Sequence, residues 1–302
     1  MAILSAFVVL ALIVVVGIAL LISSLVDGSP VAPAPDTYKT ADVTVGVNNT
    51  KFGDLVLVND SHEYTFPENN SHLAKVYETY AAHGKDKPYI SGVSEYMEAE
   101  ALAKMDALLT EFYNATKNNN IILNEAYRDY DYQKNLISSS IEAGFSDHHT
   151  GLGCTLKIKL SDGNKGNLND NNEAYNWITK NAAKYGFIVR YPENKKDLTG
   201  IDGYAYYFRY VGVAHATYME DKGLCLEEYI EELKKFSANE PLRVNGADGN
   251  VYEIYYARVD GDTTVKCPLD YEYDISGTNE GGVVVTANLS VKKTAESAST
   301  AE

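Results

Sequence analysis

Ser146-Asp147-His148-His149-Thr150-Gly151-Leu152-Gly153-Cys154-Thr155 holds three candidate metal ligands, Asp147, His148 and His149, in consecutive positions. The histidine pair says little alone, because neighbours in an extended chain point to opposite sides and cannot easily share one ion. Upstream, Ile121-Ile122-Leu123 reads as a short buried strand, and Asp129 to Glu142 as a helix ending near Gly144. Further back, Val93, Met97, Leu102, Met105, Leu109 and Phe112 recur at helical spacing and mark a long amphipathic helix. Downstream, Ala174, Trp177, Ile178 and Tyr185 share one face of a helix over Glu173–Tyr185, which Gly186 ends in the left-handed conformation. Phe187–Tyr191 and Phe208–Val211 are strands by their aromatic and β-branched content, and Leu224–Phe236 is a helix. Past Pro241 the pattern changes to short strands between Gly, Asp and Asn turns: Leu242–Asn245, Val251–Tyr256, Thr263–Cys267, Tyr271–Tyr273 and Val283–Thr286. Ser290–Glu302 has the composition of a disordered tail.

The 302 residues carry a net charge of −16, which excludes a phosphate-backbone partner and so nucleic acid. No charged side chain falls between Ala2 and Val26, a run long enough to cross a bilayer and too long for the apolar part of a cleaved signal. It is expected to be an uncleaved anchor. A stiff spacer, Gly28-Ser29-Pro30-Val31-Ala32-Pro33-Ala34-Pro35, follows. The expected organisation is an anchor over 1–26, a Pro-rich linker over 27–36, a core over 37–236, a β-rich appendage over 237–289 and a tail over 290–302. Cys225 and Cys267 either pair, in an oxidising compartment, or stay with Cys154 as buried thiols.

A mononuclear zinc hydrolase needs three protein ligands, an open position for water and a carboxylate to take the water's proton. The opening segment resembles the Ser-x-His-x-x-Gly-x-Ala-x-Asp motif of VanY-type D-alanyl-D-alanine carboxypeptidases. Tyr127-Arg128-Asp129-Tyr130-Asp131-Tyr132-Gln133 is similar to the family's Tyr-Arg-Ser-x-x-x-Gln segment. Lys184-Tyr185-Gly186-Phe187-Ile188-Val189-Arg190-Tyr191-Pro192, Thr199-Gly200 and Phe208-Arg209-Tyr210-Val211-Gly212 match further family blocks. The likeness runs from Phe52 to Phe236. It implies an α+β fold, a small antiparallel sheet with packed helices, here with the C-terminal β-rich appendage and the N-terminal transmembrane helix. It also implies a single-pass cell-membrane protein with its C-terminal domain outside the cytoplasm.

The departures bear on function. His148 keeps the motif's first zinc ligand, but Thr155 stands where the second, an Asp, is expected. The family's Glu-Pro-Trp-His block falls on Tyr204-Ala205-Tyr206-Tyr207, so Tyr204 replaces the catalytic base and Tyr207 the third ligand. No cofactor is expected here, although the family uses zinc. Asp147, Cys154 and Asp202 flank these positions, and His215 matches a family histidine outside the metal triad. The resemblance leaves Arg128, Gln133, Ser146 and Tyr206 as substrate-binding candidates, with Arg128 either gripping a peptide carboxylate or pairing with Asp129 or Asp131. The expectation is a pseudoenzyme that binds peptidoglycan stem peptide or a cell-wall protein through the former cleft. The alternatives are an active zinc D,D-carboxypeptidase with a rearranged metal site, and a structural or protein-interaction module of the cell envelope.

Overall fold

The computed structural model describes residues 38–81, 89–90, 95–169 and 171–293. Among these, no helix is long and apolar enough to cross a membrane, which corrects the expected cell-membrane localisation. The run Ala2 to Val26 that suggested it, the spacer after it and residues 294–302 lie outside the described residues.

In chain order the first strands are β1 (Thr40–Val45), β2 (Leu73–Lys75), β3 (Tyr89–Ile90), β4 (Tyr96–Glu98), β5 (Ile121–Glu125), β6 (Gly153–Lys159) and β7 (Lys165–Asn167). Then come β8 (Phe187–Tyr191), β9 (Tyr204–Tyr210), β10 (Leu242–Asn245), β11 (Val251–Arg258), β12 (Thr263–Pro268), β13 (Tyr271–Gly277) and β14 (Gly282–Lys292). The central sheet runs β3-β5-β6-β9-β8, with β7 also on β6. It is antiparallel except for the β3–β5 pair. Two-residue alternation sorts its faces. Leu123, Cys154, Leu156, Phe187, Phe208 and Tyr210 pack onto Met105, Leu109 and Phe112 of the helix Ala99–Thr116 and Ile178 of the helix Glu173–Ala182. The intervening residues Gly153, Thr155, Tyr207 and Arg209 therefore face the other way, and they build the site.

The long helix starts at Ala99 rather than near Val93, because the Glu98 carboxylate accepts the Ala101 amide at 2.9 Å as an N-cap and Met97 belongs to β4. The helix expected over Asp129–Glu142 covers only Tyr130–Asn135. Gln133 Nε2 donates to Ser139 Oγ and Ile141 O, folding the following residues back as a loop. The second expected helix ends as read, with Gly186 at φ +81° after a 3-10 turn. The longest of the helices that went unread, Val213–Lys222, buries Ala214, His215, Ala216, Thr217 and Met219, residues that encircle it and leave no apolar stripe.

The C-terminal strands form a sheet of order β10-β11-β14-β13, while β12 pairs instead with β1, from Thr40 opposite Pro268 to Val45 opposite Thr263. Ile254 and Val284 of that sheet share a core with Ala214, Met219, Leu226, Tyr229, Ile230 and Leu233. β14 continues through Lys292, where its pairing with Tyr271 outlasts the change in composition at Ser290. Cys154, Cys225 and Cys267 are all free and buried, so the Cys225–Cys267 bridge is not made.

Candidate functional site

Register assembles one row of the site. Thr155 on β6 lies opposite Glu125 on β5 and opposite Tyr207 on β9. His148 comes from beside the row, on a 3-10 turn over Asp147–Thr150 rather than the extended segment its neighbours suggest. His148 Nδ1 sits 2.6 Å from Ala126 O, and His149 Nδ1 sits 2.6 Å from Arg128 O. A carbonyl only accepts, so both Nδ1 atoms carry the proton, and His148 Nε2 keeps its lone pair. His149 Nε2 accepts the Gly144 amide at 3.0 Å. The two rings thus clamp the loop that presents Arg128. Burial, aided by the Arg128 charge, pushes the His148 imidazole down to about 4, so it is neutral at neutral pH.

The three positions that the motif assigns to zinc ligands do come together, with the His148 and Tyr207 rings 4.5 Å apart. Their donors do not fit a zinc ion. The Tyr207 hydroxyl donates to Asp147 Oδ2 at 2.9 Å, and burial next to that carboxylate pushes the phenol well above its ordinary range. Thr155 offers a buried alcohol whose Oγ1 has no partner among the described residues. Among the described residues no group of three His, Cys, Asp or Glu side chains is placed to hold a metal.

Tyr207 instead belongs to a buried charge network. Asp147 Oδ1 accepts from Arg209 Nη1 and, at 3.5 Å, from Arg190 Nε. Arg190 closes a bidentate pair on Glu227 at 2.9 and 2.7 Å, and Arg209 Nη2 donates to Asp54 O and Val56 O. Two cations face two anions, so the cluster is balanced, and removing one member of such a buried pair costs about 3–5 kcal/mol. Tyr191 stacks on Tyr207 at 5.7 Å, pinning the ring from its other side. Room for that ring comes from Gly153, where a Cβ would lie 2.4 Å from Tyr207 Oη.

Above this floor opens a cavity of about 350 Å³, lined among others by Arg128, Ser146, His148, Tyr191, Asp202 and Tyr204. Arg128 is paired, but with Glu125 rather than with Asp129 or Asp131. Its Nη2 lies 2.7 Å from Glu125 Oε2, while Asp129 caps the following helix by accepting the Tyr132 amide. Arg128 Nη1 donates to Gln133 Oε1 at 2.9 Å. Arg128 Nε and Ser146 Oγ are buried with no partner among the described residues. Gln133 and Tyr206 do not line this cavity. Gln133 ties Arg128 to the Ser139–Ile141 loop, and Tyr206 leans on the core and on Tyr204, ring centres 4.7 Å apart. Cys154 points into the core away from Thr155, and Asp202 pairs with Lys196. His215 is remote from the cavity, bridging Tyr229 Oη at 2.7 Å and Thr286 Oγ1 at 2.9 Å.

Glu125 and the charge network escaped the sequence reading. The strand signal at Ile121-Ile122-Leu123 stops two residues short of Glu125, and only the pairing with β6, irregular between Leu123 and Glu125, brings that carboxylate onto the site.

The comparisons agree with the motif reading at the level of family. A model of the VanY family, D-alanyl-D-alanine carboxypeptidase, matches residues 94–213. The Bacillus subtilis (strain 168) protein YodJ is 32% identical over 213 residues, covering 61% of this chain and 75% of that one. The chain belongs to the VanY family. A D-alanyl-D-alanine carboxypeptidase of Enterococcus faecium, another relative, is 35% identical over 196 residues, 63% of this chain. The match spans 61% of the length of that enzyme. The fold is shared with the vancomycin-resistance D,D-dipeptidase VanXYg, solved with a D-Ala-D-Ala phosphinate analog: TM-score 0.70 over 83% of this chain and 99% of that one, at 23% identity.

Proposed function

We propose that this VanY-family chain is a non-hydrolysing member that binds peptidoglycan stem peptides ending in D-Ala-D-Ala through the cleft. The observation that carries this is the Tyr207 hydroxyl bonded to Asp147, at the position where the motif has a zinc-binding histidine. A phenol committed to a carboxylate does not ligate a metal, and a tyrosine at 204 does not supply the carboxylate base that activates water. The cleft keeps groups suited to a peptide terminus: Arg128 for a carboxylate, the Ser146 hydroxyl, and the His148 Nε2 lone pair for a peptide N–H. The ligand class follows the name of the Enterococcus relative, a D-alanyl-D-alanine carboxypeptidase.

The test is to incubate the full chain, with zinc supplied, with a pentapeptide ending in D-Ala-D-Ala. Binding and D-alanine release are measured together. Saturable binding that Arg128→Ala abolishes, without release of D-alanine, is the expected result. Chelator-sensitive release of D-alanine would establish a working carboxypeptidase instead. Absence of binding, with retention on a wall protein that cleft substitutions leave unchanged, would make the domain an interaction module.

A further inference from the structure

We infer that Glu125 is a placeholder on the ligand-gripping edge of Arg128, and that a peptide carboxylate binds by displacing it; this rests on the reading of the cleft as a peptide site. The Nε and Nη2 groups of an arginine form one edge of the guanidinium plane, spaced to hold both oxygens of a carboxylate. On Arg128 that edge is half used. Nη2 forms an ion pair with Glu125 Oε2, 2.7 Å away, whereas the buried Nε has no partner among the described residues.

The remaining end of the guanidinium is fixed from behind. Nη1 donates to Gln133 Oε1, and Gln133 is held in turn by Ser139 Oγ and Ile141 O. Arg128 therefore keeps its orientation whether or not Glu125 is present. A carboxylate arriving on the Nε–Nη2 edge makes two charge-assisted hydrogen bonds in place of the single ion contact with Glu125. It also satisfies a buried N–H that otherwise goes without an acceptor. The Ser146 hydroxyl, likewise buried and unpartnered among the described residues, lines the first cavity beside Arg128.

Glu125 has room to leave. Its side chain is 24% exposed, against 8% for Arg128, and it lines a second cavity of about 440 Å³ that Arg128 also borders. Arg128 is thus a wall shared by two cavities. The second one carries Glu95 and Asp129, so the displaced carboxylate moves toward like charges. That opposing cost makes the exchange selective: a ligand able to grip both donors drives it, and a neutral C-terminus does not.

Calorimetric titration of the full chain with acetyl-L-Lys-D-Ala-D-Ala, and with the same peptide as its C-terminal amide, tests this. Glu125→Gln preserves shape and removes the charge, and Glu125→Ala serves as a second variant should the first fold poorly. Asp202→Asn removes a charge from the cavity wall without touching Arg128. Glu125→Gln is expected to bind the free-acid peptide about tenfold tighter than the natural chain, leaving the amide unchanged. Asp202→Asn is expected to change neither by more than about twofold. If the natural chain binds the free acid and neither Glu125 variant tightens it, the placeholder role is wrong while the peptide site stands. Equal tightening of acid and amide, or the same gain from Asp202→Asn, overturns it too. If all variants ignore both peptides, the peptide reading of the cleft fails and this inference goes with it.

Discussion

Gly153→Ala tests whether Tyr207 and the strand beside it form one unit. A Cβ at position 153 would meet Tyr207 Oη at 2.4 Å, Tyr207 Cζ at 2.6 Å and Phe208 O at 3.0 Å. The ring cannot step aside freely, since it is wholly buried, stacked on Tyr191 and bonded to Asp147. Forcing a methyl into such packing costs about 1–3 kcal/mol. Giving up the hydroxyl bond to a buried carboxylate adds about 1.5–3 kcal/mol. The substitution should therefore destabilise the chain by about 2.5–6 kcal/mol, a large share of an ordinary domain's stability. Urea unfolding followed by fluorescence of Trp177, the single tryptophan, reports it, because that ring packs on Phe112 in the folded state. The informative measurement is the same substitution made in Tyr207→His, which lacks the atoms that clash. There it should cost less than about 1 kcal/mol, giving a coupling energy above about 1.5 kcal/mol. Equal costs in both backgrounds would refute the argument and mean that the ring moves. The motif pairs Ala with His at these two positions, and this chain pairs Gly with Tyr.

Glu227→Gln leaves Arg190 buried without its bidentate carboxylate and should cost about 3–5 kcal/mol in urea unfolding; a loss under about 1 kcal/mol would show that the network is not cooperative. Burial pushes the His215 imidazole down to about 3, so folding keeps it neutral while the unfolded chain takes up a proton below its ordinary 6.5. Its contribution is complete above that value and is lost as pH falls toward 3. The stability gap between the natural chain and His215→Gln should therefore shrink by about 2 kcal/mol between pH 7.5 and 5.0, and a constant gap would contradict this. Elemental analysis should find no zinc in the natural chain purified with zinc present. Combined Thr155→Asp, Tyr204→Glu and Tyr207→His should bring in one ion per chain; zinc in the natural chain would mean that the ligand assignment is wrong.

The strands that announced themselves with the right bounds are those set between strong turn signals. Phe187–Tyr191 and Leu242–Asn245 were read with their observed bounds, because branched and aromatic residues sit between strong turn signals. The helix Val213–Lys222 was not, since burial all round erases periodicity. At the site, the motif spacing located His148, Thr155, Tyr204 and Tyr207, because each lies in a block of recognisable order. The groups that explain what those residues now do are scattered: Asp147, Arg190, Arg209 and Glu227 meet only after two strands, a turn and a helix are in place. A buried salt bridge leaves no local pattern. The partner of Arg128 illustrates the same limit, since Asp129 is nearer in sequence and Asp131 as near, yet the first is spent as a helix cap and Glu125 faces the guanidinium.

The pairing of β1 with β12 imposes a schedule on the making of the molecule. Asp42 and Lys266, which meet across that ladder, are 224 residues apart. At ordinary rates of synthesis, roughly 10–45 s pass between the emergence of the two strands, and β1 waits throughout with its edge unpaired. An open edge of that kind invites pairing with other chains. β1 blunts the risk by turning Thr40, Asp42 and Thr44 outward, keeping a polar row on the waiting strand. A strand made late thus secures one made early, and a chain halted before Thr263 would present β1 as a ready template for another molecule's strand.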